Sequence, residues 1–398
     1  MMKFLAYIVC FLIYPLSFLV PRTKKIWTFG SYRGAFNDNS KYLFLYTLQY
    51  LPEQRVVWIS LSKTTVQRVR QLGGEAYWIM SPKGIWFALR SKYWFVNTNT
   101  ADILFCLSGR AQVVNLWHGL PMKKIEFGIT QGELAKRYIQ REFWEAFYHP
   151  ACFRRPDWMV STTDFFDDVF TKSFRIAKKQ CIQTGCPRNR MLLIPKQDVQ
   201  TWVNSYESEE TKKLIRSLQH YDKVFVYMPT WRDSQRECFA NGFDLDAFNE
   251  CLKSQNAFAL MKPHVETIID TNRSFSNLLF IDGNVDMYCI LPFTDVLITD
   301  YSSVLYDYIL MPDKNVILFH YDYDEYVRER EFIFPIKDNI VGKVVYSFTE
   351  LLSVITTHNY SIDQHKRQTI LEKFWGKTAR PDYDASHEIL KALHLLDD

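Results

Sequence analysis

Asn115-Leu-Trp-His-Gly-Leu-Pro-Met-Lys-Lys124 decides the reading of this chain. The run from Ala111 to Trp117, with Val113, Val114, Leu116 and Trp117, has the apolar character of a buried strand. His118 stands at its end, Gly119 follows at once, and Pro121, Lys123 and Lys124 come close behind. In open α/β sheets ligands bind outside the carboxyl ends of the strands. An imidazole there exchanges protons near neutral pH, and a lysine meets phosphate as a point charge. A lone histidine at a strand end is more commonly a structural hydrogen-bonder, so the weight of this one comes from what the rest of the chain repeats.

The second half repeats it in Phe258-Ala-Leu-Met-Lys-Pro-His264, where a short apolar strand again ends in Lys262, a proline and His264. Asp295-Val-Leu-Ile-Thr-Asp-Tyr-Ser-Ser-Val-Leu-Tyr-Asp307 then runs from strand into helix. Thr299, Asp300, Ser302 and Ser303 fall at the turn, where free N–H groups at a helix start would receive phosphate oxygens. Ordinary N-capping is the competing reading, since Thr, Asp and Ser are common caps. A third strand, Val224 onward, closes with Thr230, Arg232 and Asp233. Arg232 would suit a diphosphate gripped by both of its terminal nitrogens, or an ordinary ion pair with Asp233.

Around these segments strand and helix signals alternate. Strands are predicted at Lys25–Gly30, Arg55–Leu61, Ala76–Met80, Tyr93–Asn97 and Ala111–Trp117, then at Trp158–Ser161. Helices are predicted at Ser40–Tyr50 and Lys63–Leu72, in a mainly helical stretch from Gly132 to Phe147, and over the Phe-rich run that follows Ser161. The series restarts with strands at Lys223–Met228, Ala257–Lys262, Leu278–Ile281, Val296–Thr299 and Asn315–Leu318 and a helix at Asp244–Gln255. Such alternation predicts parallel sheets, and the polar stretch from Pro195 to His220 is the natural boundary. A chain of 398 residues exceeds one ordinary core, so two α/β domains are expected, 22–205 and 206–398.

Hydrophobic content of 47% with 23% charge fits a packed globular protein, and a net charge of +4 is too small to imply nucleic acid. The eight cysteines form no CxxC pair, which points to a reducing compartment and away from zinc. Phe4 to Val20 carries no charge and is broken only by Pro15 and Ser17. Arg22, Lys24 and Lys25 follow and outweigh Lys3, which keeps the next domain on the cytoplasmic side. Residues 1–21 are therefore expected to associate with a membrane surface, lying on it or spanning it, or else to form a buried first element. Lys172, Arg175, Lys178 and Lys179 beside Phe165, Phe166, Val169, Phe170 and Phe174 are either a basic lipid-facing patch or the solvated face of a helix packed on a sheet.

Taken together, the motifs resemble the CDP-glycerol glycerophosphotransferase family of teichoic acid primases and polymerases, with its capsule-building relatives. The matching residues are Asn115 to Lys124, Thr184-Gly-Cys-Pro-Arg188, Met228-Pro-Thr-Trp-Arg232, Lys262-Pro-His264 and Thr299-Asp-Tyr-Ser-Ser303. Trp27-Thr-Phe-Gly-Ser31 with Asp38-Asn-Ser-Lys-Tyr-Leu43 looks like the primase-like members, which favours one or a few transfers over polymerisation. Two departures stand out: Arg190 occupies a place where the family usually has an acid, and Glu329-Arg-Glu331 replaces Glu-Arg-Gly.

The resemblance implies a GT-B-like fold, two Rossmann-like domains facing across a cleft, and transfer of glycerol phosphate from CDP-glycerol, or of ribitol phosphate from CDP-ribitol, to a lipid-linked glycan acceptor. It implies His118 as general base and His264 as its counterpart on the donor side. Thr230, Arg232, Lys262, Thr299, Asp300, Ser302, Ser303 and Asp307 would bind the donor, and Asn115, Gly119, Lys123, Lys124 and Arg188 would lie on the acceptor side. No carboxylate cluster with metal-ligand spacing is visible, so neither a metal nor another cofactor is expected. Two other functions fit the sequence less fully: a glycosyltransferase using a nucleotide sugar, and a membrane-bound scaffold or lectin-like binder that keeps the fold without turnover.

Overall fold

The computed structural model describes residues 2–230, 243–262, 273–282 and 285–396. The chain forms two compact units, each built on a parallel sheet. The first comprises 1–118, 124–190 and 383–398, and the second 119–123 and 191–382. The main change of unit thus falls at 190/191, where the sequence reading drew it at 205/206, and the C-terminal helix Ala385–Ala392 returns to the first unit.

The first sheet contains β1 (Thr23–Phe29), β2 (Arg55–Ser60), β3 (Glu75–Trp78), β4 (Ser91–Val96), β5 (Gln112–Asn115), β6 (Trp158–Ser161) and β7 (Cys181–Gln183). Their order is β3-β2-β1-β4-β5-β6-β7, every pairing parallel. Helices cover both faces of such a sheet, so its central strands are apolar on both sides. Phe29, Val57, Trp58, Trp94, Phe95 and Val114 are accordingly buried. The second sheet contains β8 (Lys223–Met228), β9 (Ala257–Met261), β10 (Leu278–Phe280), β11 (Val296–Thr299), β12 (Asn315–Phe319) and β13 (Lys343–Val345). Their order is β10-β9-β8-β11-β12-β13, again all parallel. Strand order reverses between β1 and β4 and between β8 and β11, and a Rossmann-type sheet receives its ligand beside such a reversal.

Every strand predicted from the pattern is present. The additions, β7 and β13, are three residues each, too short to carry a period. The helix Pro82–Arg90 was also unforeseen. It starts where Ser81 Oγ accepts the Gly84 N–H at 3.0 Å, with Pro82 in the first turn. The helical stretch expected over 132–147 is divided. A wide turn at Lys136–Gln140 ends at Arg141 in the left-handed region (φ 52°), and a new helix runs Phe143–Tyr148. Phe166, Phe170 and Phe174 of the helix Asp164–Phe174 point inward and are buried, while Lys178 pairs with Asp164 at 2.9 Å at the surface.

The N-terminal segment forms a helix, Met2–Ser17, one side of which docks on the first unit. Tyr14 stacks on Phe105 at 4.4 Å, and Cys10, Ile13 and Tyr14 pack against the core that includes Cys106 and Leu107. Ser17 Oγ accepts the Gly109 N–H at 3.0 Å, an approach that needs glycine because a Cβ there would fall 2.3 Å from that oxygen. Arg22 does not flank the helix as a free cation. Its guanidinium donates to the carbonyls of Gly109, Ala88, Ser91 and Leu107, and burial lowers its pKa to about 10. No described helix is long and apolar enough to cross a membrane.

Candidate active site

β5 ends at Asn115, whose buried side chain makes two hydrogen bonds within the fold. Its Nδ2 donates to Thr98 O at 2.7 Å and its Oδ1 accepts the Trp117 N–H at 2.9 Å. Trp117 takes the left-handed conformation (φ 54°), Gly119 has φ 134°, and His118 is held between these two bends. The imidazole lies against the Trp117 ring, centroids 4.2 Å apart, with Nδ1 at 3.2 Å from Asn97 O. A carbonyl only accepts, so Nδ1 carries the proton and the lone pair is on Nε2. Desolvation by the surrounding protein lowers the His118 pKa, outweighing the attraction of Asp38 and the Asn97 hydrogen bond, while Arg188 lowers it further. The residue nevertheless remains exposed to solvent. The hydrogen bond orients the imidazole, and the lowered pKa favours its neutral form.

The supporting groups come from the sheet's strand-order reversal. Asn97, just past β4, accepts from Ser40 N–H at 3.0 Å and donates to Ser31 Oγ, just past β1, at 2.9 Å. Asp102 accepts the Asn97 and Thr98 N–H groups at 2.8 Å each, and burial raises its pKa to about 6. Arg188 is buried, with Nη1 on Asp38 Oδ1 at 2.7 Å and its own N–H on Asn39 Oδ1 at 3.1 Å. It is an internal tie of the first unit. Arg190, the departure noted in the sequence, donates to Tyr383 O at 3.3 Å.

In the second unit, Thr230 follows β8 and Asp300 follows β11, side by side at that sheet's reversal. The buried Asp300 carboxylate accepts the Thr230 N–H at 2.9 Å, its hydroxyl at 2.5 Å and the Tyr301 N–H at 2.6 Å. These hydrogen bonds shape the turn. Thr299 is likewise committed, its hydroxyl donating to Met228 O at 2.7 Å. Asp307 is buried and accepts from Tyr288 OH at 2.6 Å. Ser302 and Ser303 are only partly buried and precede a helix of five residues, Val304–Tyr308, in which Ser303 makes no side-chain cap. So short a helix offers local N–H groups and little macrodipole. Lys262 Nζ donates to Asp282 O at 2.6 Å, and desolvation lowers its pKa to about 8 against the attraction of Asp282 and Asp286. Arg232 and His264 lie outside the described residues.

The segment 119–123 packs with the second unit. Met122 O accepts the Ile333 N–H at 2.9 Å, and Lys123 pairs with Phe332 in an antiparallel bridge. Lys123 Nζ donates to Tyr326 OH at 2.6 Å, and Tyr326 stacks on Tyr301 at 4.1 Å. Among the described residues, no group of three or more His, Cys, Asp and Glu side chains is placed to hold a metal ion.

A family model, described as CDP-glycerol:poly(glycerophosphate) glycerophosphotransferase, matches residues 12–394. The chain belongs to this family. It is a transferase, a CDP-glycerol glycerophosphotransferase. Among its relatives is the teichoic acid glycerol-phosphate transferase of Staphylococcus aureus, 27% identical, with 88% of this chain and 89% of that protein aligned. The teichoic acid poly(glycerol phosphate) polymerase of Bacillus spizizenii is 26% identical over 87% of each chain. The teichoic acid glycerol-phosphate primase of Bacillus subtilis is 25% identical over 70% of this chain and 69% of its own length. The solved structure of the wall teichoic acid polymerase TagF superimposes with a TM-score of 0.74 at 20% identity, covering 99% of this chain and 98% of that one, which establishes the shared α/β fold with parallel sheets.

Within this glycerophosphotransferase, His118 and Asn115 meet at one strand end as the sequence suggested, and Asn115 and Arg188 also make hydrogen bonds within the fold. Sequence reading missed Asn97 and Asp102 as supports of the histidine. The signal was present: Tyr93–Asn97 was predicted as a strand, and a strand leaving the sheet in Asn-Thr-Asn-Thr100 is as polar at its end as the histidine strand. Asn39 was noticed only as part of a signature, and its bonds to a distant loop carry no local pattern.

Proposed function

We propose that this glycerophosphotransferase moves glycerol phosphate, or the related ribitol phosphate, from its CDP-linked donor to a hydroxyl of a membrane-linked glycan acceptor and releases CMP. The observation that carries the reading is His118, a residue exposed to solvent, whose Nδ1 lies on Asn97 O so that the lone pair falls on Nε2, and whose pKa is lowered by desolvation. The acceptor oxygen attacks the phosphorus that bears the polyol, and its proton passes to Nε2. A P–O bond forms to the acceptor, the P–O bond to CMP breaks, and the CMP phosphate leaves with the bonding electrons. Charge building on the leaving phosphate calls for fixed donors. The Thr230–Asp300 turn, Ser302, Ser303 and Lys262 suit that task, and the sequence adds Arg232 and His264.

The acceptor's membrane link finds support in the N-terminal helix. Leu5, Leu12 and Leu16 are 60%, 65% and 60% exposed and with Val9 form a stripe at helical spacing, and Leu19, 76% exposed, lies in the turn that follows. Exposed Phe143 and Trp144 lie nearby, beside a groove of about 840 Å³ lined by Phe11, Leu12, Phe147 and Arg155. An apolar stripe of this size, with Lys24 and Lys25 exposed beyond it, suits a helix lying in the interface of the cytoplasmic leaflet.

The deciding experiment incubates purified protein with CDP-glycerol, CDP-ribitol, UDP-sugars and GDP-sugars and measures nucleotide release. CMP from a CDP-polyol alone is expected; turnover of a nucleotide sugar would replace this reading with glycosyl transfer. A primed acceptor already carrying glycerol phosphate, given excess donor, separates one or a few additions from a long ladder.

A further inference from the structure

We propose that Asn39 is a positioning residue for His118, an inference that rests on the general-base reading above. The Asn39 side chain is fully buried. Its Nδ2 donates to Trp117 O at 2.8 Å and reaches Leu116 O at 3.3 Å, and its Oδ1 accepts the Arg188 N–H at 3.1 Å. The Trp117 carbonyl belongs to the same peptide group as the His118 nitrogen, so this hydrogen bond fixes the plane from which the imidazole projects.

That plane needs fixing. Trp117 is held left-handed at φ 54°, a conformation that an L-residue adopts only under strain. Its N–H is tied to Asn115 Oδ1 and its carbonyl to Asn39, so the strained residue is clamped on both sides. Asn39 is itself anchored at the start of the helix Asp38–Tyr50, its N–H donating to Asp38 Oδ1 at 2.8 Å. A single carboxamide thus joins that helix start, the loop after β5 and the turn at Pro187-Arg188. With the peptide fixed, Nδ1 faces Asn97 O and the lone pair stays on Nε2. Asp38 and Arg188 are the charged side chains that act on the ring, and Asn39 contributes geometry without charge.

Three measurements on Asn39→Ala test this: steady-state kinetics, the pH profile of kcat/KM, and the nitrogen NMR spectrum of the His118 imidazole. A misdirected ring lowers kcat on the order of 10- to 100-fold and leaves donor KM within about twofold. The acid limb moves up toward the ordinary imidazole value as the ring becomes hydrated, and the spectrum changes from one tautomer to a mixture. Asn39→Asp is the second variant. It keeps the shape and the acceptor for Arg188 N–H but cannot donate to Leu116 O and Trp117 O, so it shows the same kcat loss and a larger rise of the acid limb. Wild-type kcat in either folded variant, or an unchanged His118 tautomer, overturns the proposal. If His118→Ala itself keeps full turnover, the general-base reading fails, while the NMR measurement still judges the positioning role separately.

Discussion

Thr230 and Asp300 are bonded to each other at the strand-order reversal of the second sheet, the Thr230 N–H and hydroxyl both ending on one buried carboxylate at 2.9 and 2.5 Å. The turn that follows β11 therefore carries its own scaffold. Asp300→Ala leaves buried N–H groups without an acceptor and should destabilise the second unit by roughly 2–4 kcal/mol. Asp300→Asn, which keeps one acceptor oxygen, should cost less. Urea unfolding followed by tryptophan fluorescence checks the order; equal midpoints for wild type and Asp300→Ala would mean the carboxylate holds nothing.

His118→Ala should lower kcat by about two to four orders of magnitude while circular dichroism stays unchanged. The pH dependence follows from the direction of the shift. A pKa lowered below the ordinary 6.5 keeps the imidazole neutral, and so competent as a base, down to more acid pH. Activity is then present above the lowered pKa and is lost as pH falls through it. A kcat/KM profile whose acid limb sits at or above 6.5 would contradict a desolvated His118.

Lys262 provides the opposite limb. Its ammonium, with a pKa lowered to about 8, is charged below that pH and neutral above it. Affinity for an anionic donor should therefore weaken as pH rises through about 8 in the free enzyme. Lys262→Met should abolish that dependence and raise donor KM at neutral pH. If the variant and wild type have the same alkaline profile, the lysine does not meet the donor.

Ser302→Ala combined with Ser303→Ala should weaken CDP-polyol binding more than acceptor binding. Both serines are partly exposed, and Ser303 makes no cap that its removal would break. Calorimetric titration with donor measures the effect. An unchanged donor constant returns these serines to the solvated surface.

Leu12→Asp combined with Leu16→Asp tests the N-terminal helix without uncovering the core beneath Tyr14 and Phe105. Placing two charges on the exposed stripe should reduce binding to vesicles of anionic phospholipid at least about tenfold, since each leucine contributes roughly 1.5–3 kcal/mol on burial. Turnover of a soluble acceptor analogue should persist. Full retention on the vesicles would remove this face from membrane contact.

The sequence by itself determined the alternation of strands and helices, the two parallel sheets and the placement of His118 at a strand end. Those properties depend on short-range periodicity and on apolar runs that only a sheet covered on both faces can bury. The motifs at residues 115–124 and 299–303 were legible for the same reason, as polar residues interrupting an apolar strand at its end. Only the tertiary structure decided what each polar residue does there. Asn115, Arg188, Asp300 and Thr299 each satisfy a buried backbone or side-chain group as well, because a buried donor or acceptor left without a partner is costly. Arg22 passed for a membrane-flanking cation until four carbonyls from distant turns closed around it. The left-handed Trp117 and the carboxamide that holds it come from segments 78 positions apart in sequence, and no local pattern encodes that meeting.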